Sequence, residues 1–434
     1  MIWLYRLFFL PALILASPYY LYRMRKRGGY RRDWTQRFGS GPAYPPPANG
    51  VHRIWIQAVS VGEIQALDPL LRDWEQRPDL EVVLTTTTST GYALARDKWG
   101  RHLRGVGLFP LDFLPCSRRT WNRIRPDLVL LMEGEIWPEH LEQAQRRGIP
   151  ALLVNARLSD RSFRRYRRFP AIARWTLPRL RRVLAATPGD EARFRQLHPR
   201  PESVTLAGNL KLDLHLEPVL SPDDRTNRRA ALGFAPPHGE AAPLVLLGSS
   251  TWPGEEAFLI ETLTTAHENG LDVRLLLVPR HAERGDDLEK LLRSTGLPWS
   301  RRSTGATAAP DNAIYLADTT GELRTLTQLA DLAFIGKSLP PHTEGQTPIE
   351  CAAFGVPMVT GPGMSNFRDI VDGLAAAGGC RRANTTGAAR DALLQLLREP
   401  EARHTLATHA RQWRENSRGA TAVVTRTIDS LLNP

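Results

Sequence analysis

The chain has 434 residues, 42% of them hydrophobic and 24% charged, and its 57 lysines and arginines against 45 acids give a net charge of +12. That length exceeds one ordinary core, so two domains with appendages are expected, and the apolar content excludes intrinsic disorder. Cys116, Cys351 and Cys380 make an odd count without metal-ligand spacing, which excludes a disulfide framework and points to reduced thiols in a cytosolic setting.

Met1–Tyr22 is mostly apolar and aromatic, interrupted by Arg6, Pro11 and Pro18, and Arg23, Arg25, Lys26, Arg27, Arg31 and Arg32 follow at once. About 20 apolar residues cross a bilayer, so the segment is just long enough to span, and its basic flank sets the rest of the chain in the cytoplasm. A helix lying in the membrane interface is the alternative. No small-residue cleavage site marks a removable signal. Gly41–Gly50 (GPAYPPPANG) reads as a linker and closes an anchor segment, 1–49.

Beyond it, short apolar runs alternate with helical stretches. In 50–216 the runs are Ile54–Val59, Glu81–Leu84, Gly107–Phe109, Leu128–Met132, Ala151–Val154, Val183–Ala186 and Val204–Leu206. A polar, Pro/Gly-rich linker, 217–242, interrupts the series. In 243–434 follow Leu244–Leu247, Val273–Val278, Ala313–Leu316, Leu332–Ile335 and Val356–Val359, then helices. Buried parallel strands have this pattern, and the alternation predicts two doubly wound α/β domains holding a ligand in the cleft they face.

In such sheets the functional residues lie past the carboxyl ends of the strands. Ser60-Val61-Gly62-Glu63 follows the first run. Gly62 permits a tight turn there, and Glu63 falls in a first helical turn, where an acid is favourable by up to about 1 kcal/mol without any function. The hydroxyls of Thr85–Tyr92 either line a polyhydroxylated ligand or cap a helix. Glu133 and Glu135, beside an apolar strand and Trp137, are costly to bury unpaired, so at least one is expected to face a polar cleft. Asn155–Ser159, Gly208–Asp213, Gly248–Thr251, Pro279-Arg280-His281 and Gly336-Lys337-Ser338 end later strands. The stretch from Phe334 to Asp369 holds two strands, Gly-rich turns and a helix opening near Thr347-Pro348. Its free N–H groups suit a phosphate, while Glu350 serves either ribose hydroxyls or the helix start.

From Arg164 to Arg182 there are eight arginines, and no acid occurs between Asp160 and Asp190. Interleaved with Phe163, Tyr166, Phe169, Ile172 and Trp175, they have the composition of a basic helix at a membrane interface. Charge alone fits nucleic acid as well; the apolar N-terminus favours the lipid surface.

In their order along the chain, Ser60–Glu63, Thr85–Tyr92, Glu133–Pro138, Asn155–Ser159, Gly208–Asp213, Gly254-Glu255-Glu256, Pro279–His281, Gly345–Glu350 and Asn366–Ile370 resemble the motifs of the bacterial 3-deoxy-D-manno-octulosonic acid (Kdo) transferases of lipopolysaccharide synthesis. The resemblance extends from the anchor to about residue 375. It implies a GT-B fold: two Rossmann-like domains facing a cleft, behind an N-terminal membrane-anchor helix. It implies inverting, metal-independent transfer of Kdo from CMP-Kdo to a hydroxyl of the lipid A precursor at the cytoplasmic face of the inner membrane. A monomer is implied, with no cofactor beyond the CMP-Kdo donor and no nucleic-acid partner. By motif match, Glu63 is the base, assisted by Glu133 and Lys211. Arg280, His281, Gly336, Lys337, Ser338, Gly345, Thr347 and Glu350 hold the nucleotide. Arg157, with Arg164, Arg165, Arg167 and Arg168, meets the acceptor and the membrane. A GT-B enzyme using a UDP-sugar and a catalytically dead membrane scaffold are the rivals. Preference for UDP over CMP would mark the first, and the joint presence of Glu63, Lys211, Arg280 and Glu350 speaks against the second. The chain departs from the family pattern at Trp252, Lys337, Glu344 and Thr347, where His, Gly, Gly and Asn are usual. Those changes bear on the nucleotide contacts more than on the reaction. Thr347 caps a helix as Asn would, and Lys337 is either an added charge near the phosphate or a solvated lysine.

Overall fold

The computed structural model describes residues 1–26, 33–216, 218–235, 241–305 and 307–433. Arg27, Arg31 and Arg32 of the basic flank lie outside them, and so do the side chains of Arg23, Arg25 and Lys26. Two compact units divide the chain: Met1–Leu214 with Arg418–Pro434, and His215–Ser417.

The first unit is built on β1 (His52–Gln57), β2 (Leu80–Thr86), β3 (Gly105–Leu108), β4 (Leu128–Met132), β5 (Ala151–Ala156), β6 (Arg182–Ala185) and β7 (Val204–Leu206). All pairings are parallel and the order is β3-β2-β1-β4-β5-β6-β7. Alternate side chains fill two cores, one on each face: Ile54, Ile56 and Leu130 in one, Trp55, Val129 and Leu131 in the other. Burial on both faces is why these strands read as continuous apolar runs. The second unit repeats the plan with β8 (Leu244–Thr251), β9 (Val273–Pro279), β10 (Trp299–Arg301), β11 (Ile314–Leu316), β12 (Leu332–Ile335), β13 (Met358–Thr360) and β14 (Arg381–Arg382), in the order β10-β11-β9-β8-β12-β13-β14. Strand order reverses between β1 and β4 and again between β8 and β12. Each reversal opens a crevice above the carboxyl ends of its two strands.

The expected pair of doubly wound parallel sheets is present, and every apolar run forms a strand. The partition of the chain differs in three places. Residues 418–434, read with the second domain, belong to the first unit. In the helix Ala420–Leu432, Ala420, Val424 and Ile428 recur every fourth residue and are buried with Ile64, Leu67 and Leu210. The Asp213 carboxylate caps that helix by accepting from the N–H groups of Gly419 (2.8 Å) and Thr421 (2.6 Å). An apolar stripe shows that a helix is buried, and does not show which sheet buries it. Within 217–242 a helix, Pro222–Ala231, belongs to the second unit, where Arg225 and Arg229 each pair with Asp331 at 2.8 Å. Gly41–Gly50 is no boundary. Tyr44 N–H donates to the Arg123 carbonyl (2.9 Å) and the buried Arg53 guanidinium donates to the Pro45 carbonyl (2.7 Å), strapping the segment to the first unit.

The N-terminal helix, Ile2–Lys26, continues through Pro11 and Pro18. By length and composition Ile2–Tyr19 suffices to cross a membrane.

Candidate active site

Among the described residues six non-glycine residues have positive φ, and four of them stand at carboxyl ends of parallel strands. Glu133 (53°) and Asn155 (52°) follow β4 and lie within β5; Ser250 (54°) and Lys337 (57°) lie in β8 and just past β12. Left-handed backbone costs a residue with a Cβ roughly 1–2 kcal/mol. Asn155 and Ser250 also fall where strand pairing slips by a residue, the kind of bulge that re-aims a side chain. The strain is concentrated at the two crevices.

In the first unit, Ser60 caps the helix Val61–Ala66 by accepting from the Glu63 N–H (3.4 Å). The Glu63 carboxylate reaches back: Oε2 accepts from Val59 N–H (2.8 Å) and Oε1 from the Ser60 hydroxyl (3.0 Å). This reciprocal cap would be the whole role of an exposed acid. Glu63, however, is only 6% exposed. Burial pushes its carboxyl up to about 7; the Val59 N–H opposes the rise, and the charges of Glu133 and Glu135 add to it. Burial and Glu133 likewise push Glu135 up to about 7. Glu133 instead meets Lys211, whose Nζ lies 3.2 Å from Oε1. A carboxyl poised near neutrality in a crevice is suited to accept a proton.

Gly62 does not make the expected tight turn. It sits inside the helix without a positive φ, and a Cβ built on it would meet nothing nearer than Ser60 Oγ at 3.9 Å, so neither backbone nor packing requires glycine there. The hydroxyl run takes its capping alternative. Thr86 and Thr88 donate to the Val59 carbonyl (3.2 and 3.0 Å), Thr88 caps Gly91 N–H (3.1 Å), and Thr85 accepts from the Trp55 indole (2.8 Å). These bonds fix the turn that presents Glu63.

Two amides carry more than their motifs indicated. Asn155 Oδ1 accepts from Leu210 N–H (3.2 Å) and Asn209 Oδ1 from Lys211 N–H (3.1 Å), leaving both Nδ2 groups buried with no partner among the described residues. Both donors are open to an acceptor from a ligand or a water. An amide interrupting an apolar strand is the sequence signal. Arg157 N–H donates to the Glu133 carbonyl (3.1 Å). Arg164, Arg165, Arg167 and Arg168 lie exposed on the helix Asp160–Arg168.

In the second unit, the Glu255 carboxylate is 1% exposed and accepts four N–H bonds: from Trp252 (2.9 Å), Lys337 (2.7 Å), Ser338 (2.8 Å) and Leu339 (3.1 Å). The loop N–H groups expected to cradle phosphate at Lys337 and Ser338 are therefore already occupied. Ser338 is fully buried, its hydroxyl bonded to the Ile335 carbonyl and the Gly361 N–H, so its role is structural. Gly336 has no Cβ to strike the Ser250 carbonyl, and Gly345 (φ 71°) lies against Met364. Lys337 is neither solvated nor free. Its Nζ lies 4.1 Å from the centre of the Trp252 ring and 3.5 Å from Glu344. His281 and His342 pack edge-on to the same ring, at 5.0 and 5.4 Å. The departures at 252, 337 and 344 thus form one contact cluster.

Other expected nucleotide residues keep available side chains. Arg280, exposed beyond β9, has no side-chain partner among the described residues. Thr347 Oγ1 accepts from Ile349 N–H (3.2 Å) and donates to Glu350 (3.1 Å), and the helix runs Ile349–Phe354, starting a residue later than expected. Burial pushes the half-buried Glu350 carboxyl up. The Thr251 hydroxyl, at the end of β8, is fully buried and has no partner among the described residues. The three cysteines are buried and unpaired.

Residues 32–214 match the family model described as 3-Deoxy-D-manno-octulosonic-acid transferase (kdotransferase). A 3-deoxy-D-manno-octulosonic acid transferase of Bordetella pertussis is 36% identical over 418 residues, 94% of each chain. The chain belongs to the Kdo transferase family. A second relative of that name, from Haemophilus influenzae, is 31% identical over 96% of each chain. Among solved structures, Anabaena HepE in complex with UDP matches with a TM-score of 0.58 at 15% identity, over 88% of this chain and 100% of that one. That likeness shows the GT-B fold of this Kdo transferase and nothing of its ligand.

Glu63 makes stability depend on pH. A carboxyl raised from near 4.5 to about 7 holds its proton longer in the folded chain than in the unfolded one. Its contribution is therefore complete below pH 4.5 and is lost as pH rises through 7, by about 3 kcal/mol. The thermal midpoint of Glu63→Gln should gain on that of the parent between pH 5 and pH 8. A difference that stays constant over that range would place the carboxyl at its ordinary value.

Proposed function

We propose that the protein transfers Kdo from CMP-Kdo to a hydroxyl of the lipid A precursor at the cytoplasmic face of the inner membrane, inverting the anomeric carbon without a metal ion. The observation that carries this reading is the Glu63 carboxyl, raised to about 7 at the switch point of the first sheet in a Kdo transferase. The acceptor oxygen attacks the anomeric carbon as the bond from that carbon to the phosphate oxygen breaks. The electron pair leaves with CMP and the hydroxyl proton passes to Glu63. Glu133 and Lys211 set the charge around the base, and the Asn155 and Asn209 amides offer donors to the sugars.

CMP leaves as a phosphate monoester, whose growing charge an arginine can meet. Arg280 takes that role, with His281 beside it, and Thr347 and Glu350 turn toward the ribose. No cofactor beyond the donor takes part. Arg157 and the arginines at 164, 165, 167 and 168, next to exposed Phe169 and Ile172, suit a phosphorylated lipid.

Purified protein given CMP-Kdo and lipid A precursor should yield an acceptor heavier by Kdo units in the mass spectrum. Glu63→Gln keeps the size of the side chain but cannot take a proton, so turnover should fall 10²–10⁴-fold, roughly 3–5 kcal/mol, with CMP affinity unchanged. Near-normal turnover would leave Glu63 as a helix cap. Glu350→Ala should weaken CMP binding by on the order of 1.5–3 kcal/mol in calorimetric titration. Unchanged affinity would return Glu350 to the helix start.

A further inference from the structure

The N-terminal helix is held to the first unit by its own first turns. Ile2, Tyr5, Arg6 and Phe9, spaced as one helical face, turn toward the unit. Arg6 is buried in a two-pronged pair with the fully buried Glu139, Nε to Oε2 at 2.7 Å and Nη2 to Oε1 at 3.0 Å. The Tyr5 hydroxyl donates to Asp112 (2.7 Å), and the same carboxylate accepts from the N–H groups of Glu139 (3.0 Å) and His140 (2.8 Å). Phe9 stacks on Phe113 at 5.7 Å and Tyr5 packs on Trp175 at 6.2 Å.

The chain just beyond the helix is held to the same unit. Tyr92 donates to Asp33 (2.6 Å), Gln36 accepts from Leu108 N–H (2.8 Å), and Arg37 donates to the Phe109 carbonyl (2.6 Å). From Lys26 to Asp33 the chain reaches at most about 25 Å, seven residues at up to ~3.6 Å each. A hydrocarbon core is about 30 Å thick. A helix that left the unit at Phe9 and crossed the bilayer could not return to Asp33. Drawing residues 2–9 into the core would instead strip Glu139 of its buried partner.

From these contacts we infer that the helix does not span the bilayer but lies along its cytoplasmic surface, with both ends on one side. This rests on the membrane reading given under Proposed function. Its occupant is the anionic lipid surface. Trp3, Leu4, Leu7, Phe8, Leu10, Ile14 and Leu15 are exposed, and no charge occurs from Leu7 to Tyr22. Phe169 and Ile172, also exposed, precede Trp175 on the segment that Tyr5 touches, and Arg164, Arg165, Arg167 and Arg168 come just before them. Apolar area beside uncompensated arginines is the surface of an in-plane helix on anionic lipid.

The test uses the full chain carrying a protease-cleavable tag ahead of Met1 or after Pro434, in inner-membrane vesicles of both orientations. With the cytoplasmic face outward, added protease should remove both tags; with the periplasmic face outward it should remove neither. Loss of the N-terminal tag alone from vesicles with the periplasmic face outward would establish a span and overturn the inference, while leaving membrane attachment intact. Protection of the N-terminal tag in both orientations would overturn it as well, because the docked end lies in water. Recovery of the protein wholly in the soluble fraction at low salt would sink the membrane reading, and this inference with it.

Discussion

A buried carboxylate follows a central strand of each sheet. Glu63 follows β1 and Glu255 follows β8, each directly after a glycine, and each reaches back to backbone at the strand end. Their surroundings then diverge. Glu255 accepts four N–H bonds, three of them from the loop after β12, and so stitches the two strands across the switch point. Burial pushes the Glu255 carboxyl up as it does that of Glu63, and the four N–H donors oppose the rise. Glu63 has two donors and faces two further carboxylates. One placement in the fold therefore yields a tie between two strands in the second unit and, in the first, a carboxyl raised to about 7 beside two other acids.

The remaining site geometry depends on those ties. Lys337 can occupy left-handed backbone because Glu255 holds its N–H, and that conformation sets its ammonium over Trp252. Glu133 is fixed in its strained turn by donating to the Val154 carbonyl of β5 and accepting from the N–H of Arg157, just past that strand. The loop it begins runs into the helix Pro138–Arg147, whose first turn carries Glu139. The buried Arg6–Glu139 pair therefore joins the N-terminal helix to the loop that carries two of the three crevice acids.

The sheets were legible because strands such as Leu128–Met132, buried on both faces, leave no polar residue to blur the run. Trp299–Arg301 and Arg381–Arg382 are short edge strands with partly or wholly exposed side chains, and they leave no such trace. Ala420–Leu432 is plainly an amphipathic helix, yet its destination depends on a cap from Asp213, more than 200 residues earlier in the chain. The site residues were legible as motifs and not as roles. Nothing in Gly336-Lys337-Ser338 reveals that Glu255 takes the N–H groups of Lys337 and Ser338, and nothing in Thr85–Thr88 reveals that the Val59 carbonyl takes the hydroxyls of Thr86 and Thr88. Trp252, Lys337 and Glu344 stand as separate departures along the sequence and meet only in space.

The proposed base role of Glu63 turns on one proton on one carboxyl. Glutamate labelled with carbon-13 at the carboxyl carbon would report it directly, the Glu63 resonance being assigned by its loss in Glu63→Gln. Its titration midpoint should lie at about 7 and should fall when Glu135→Gln removes a neighbouring negative charge. A midpoint at the ordinary glutamate value, indifferent to Glu135, would contradict the assignment of Glu63 as the base.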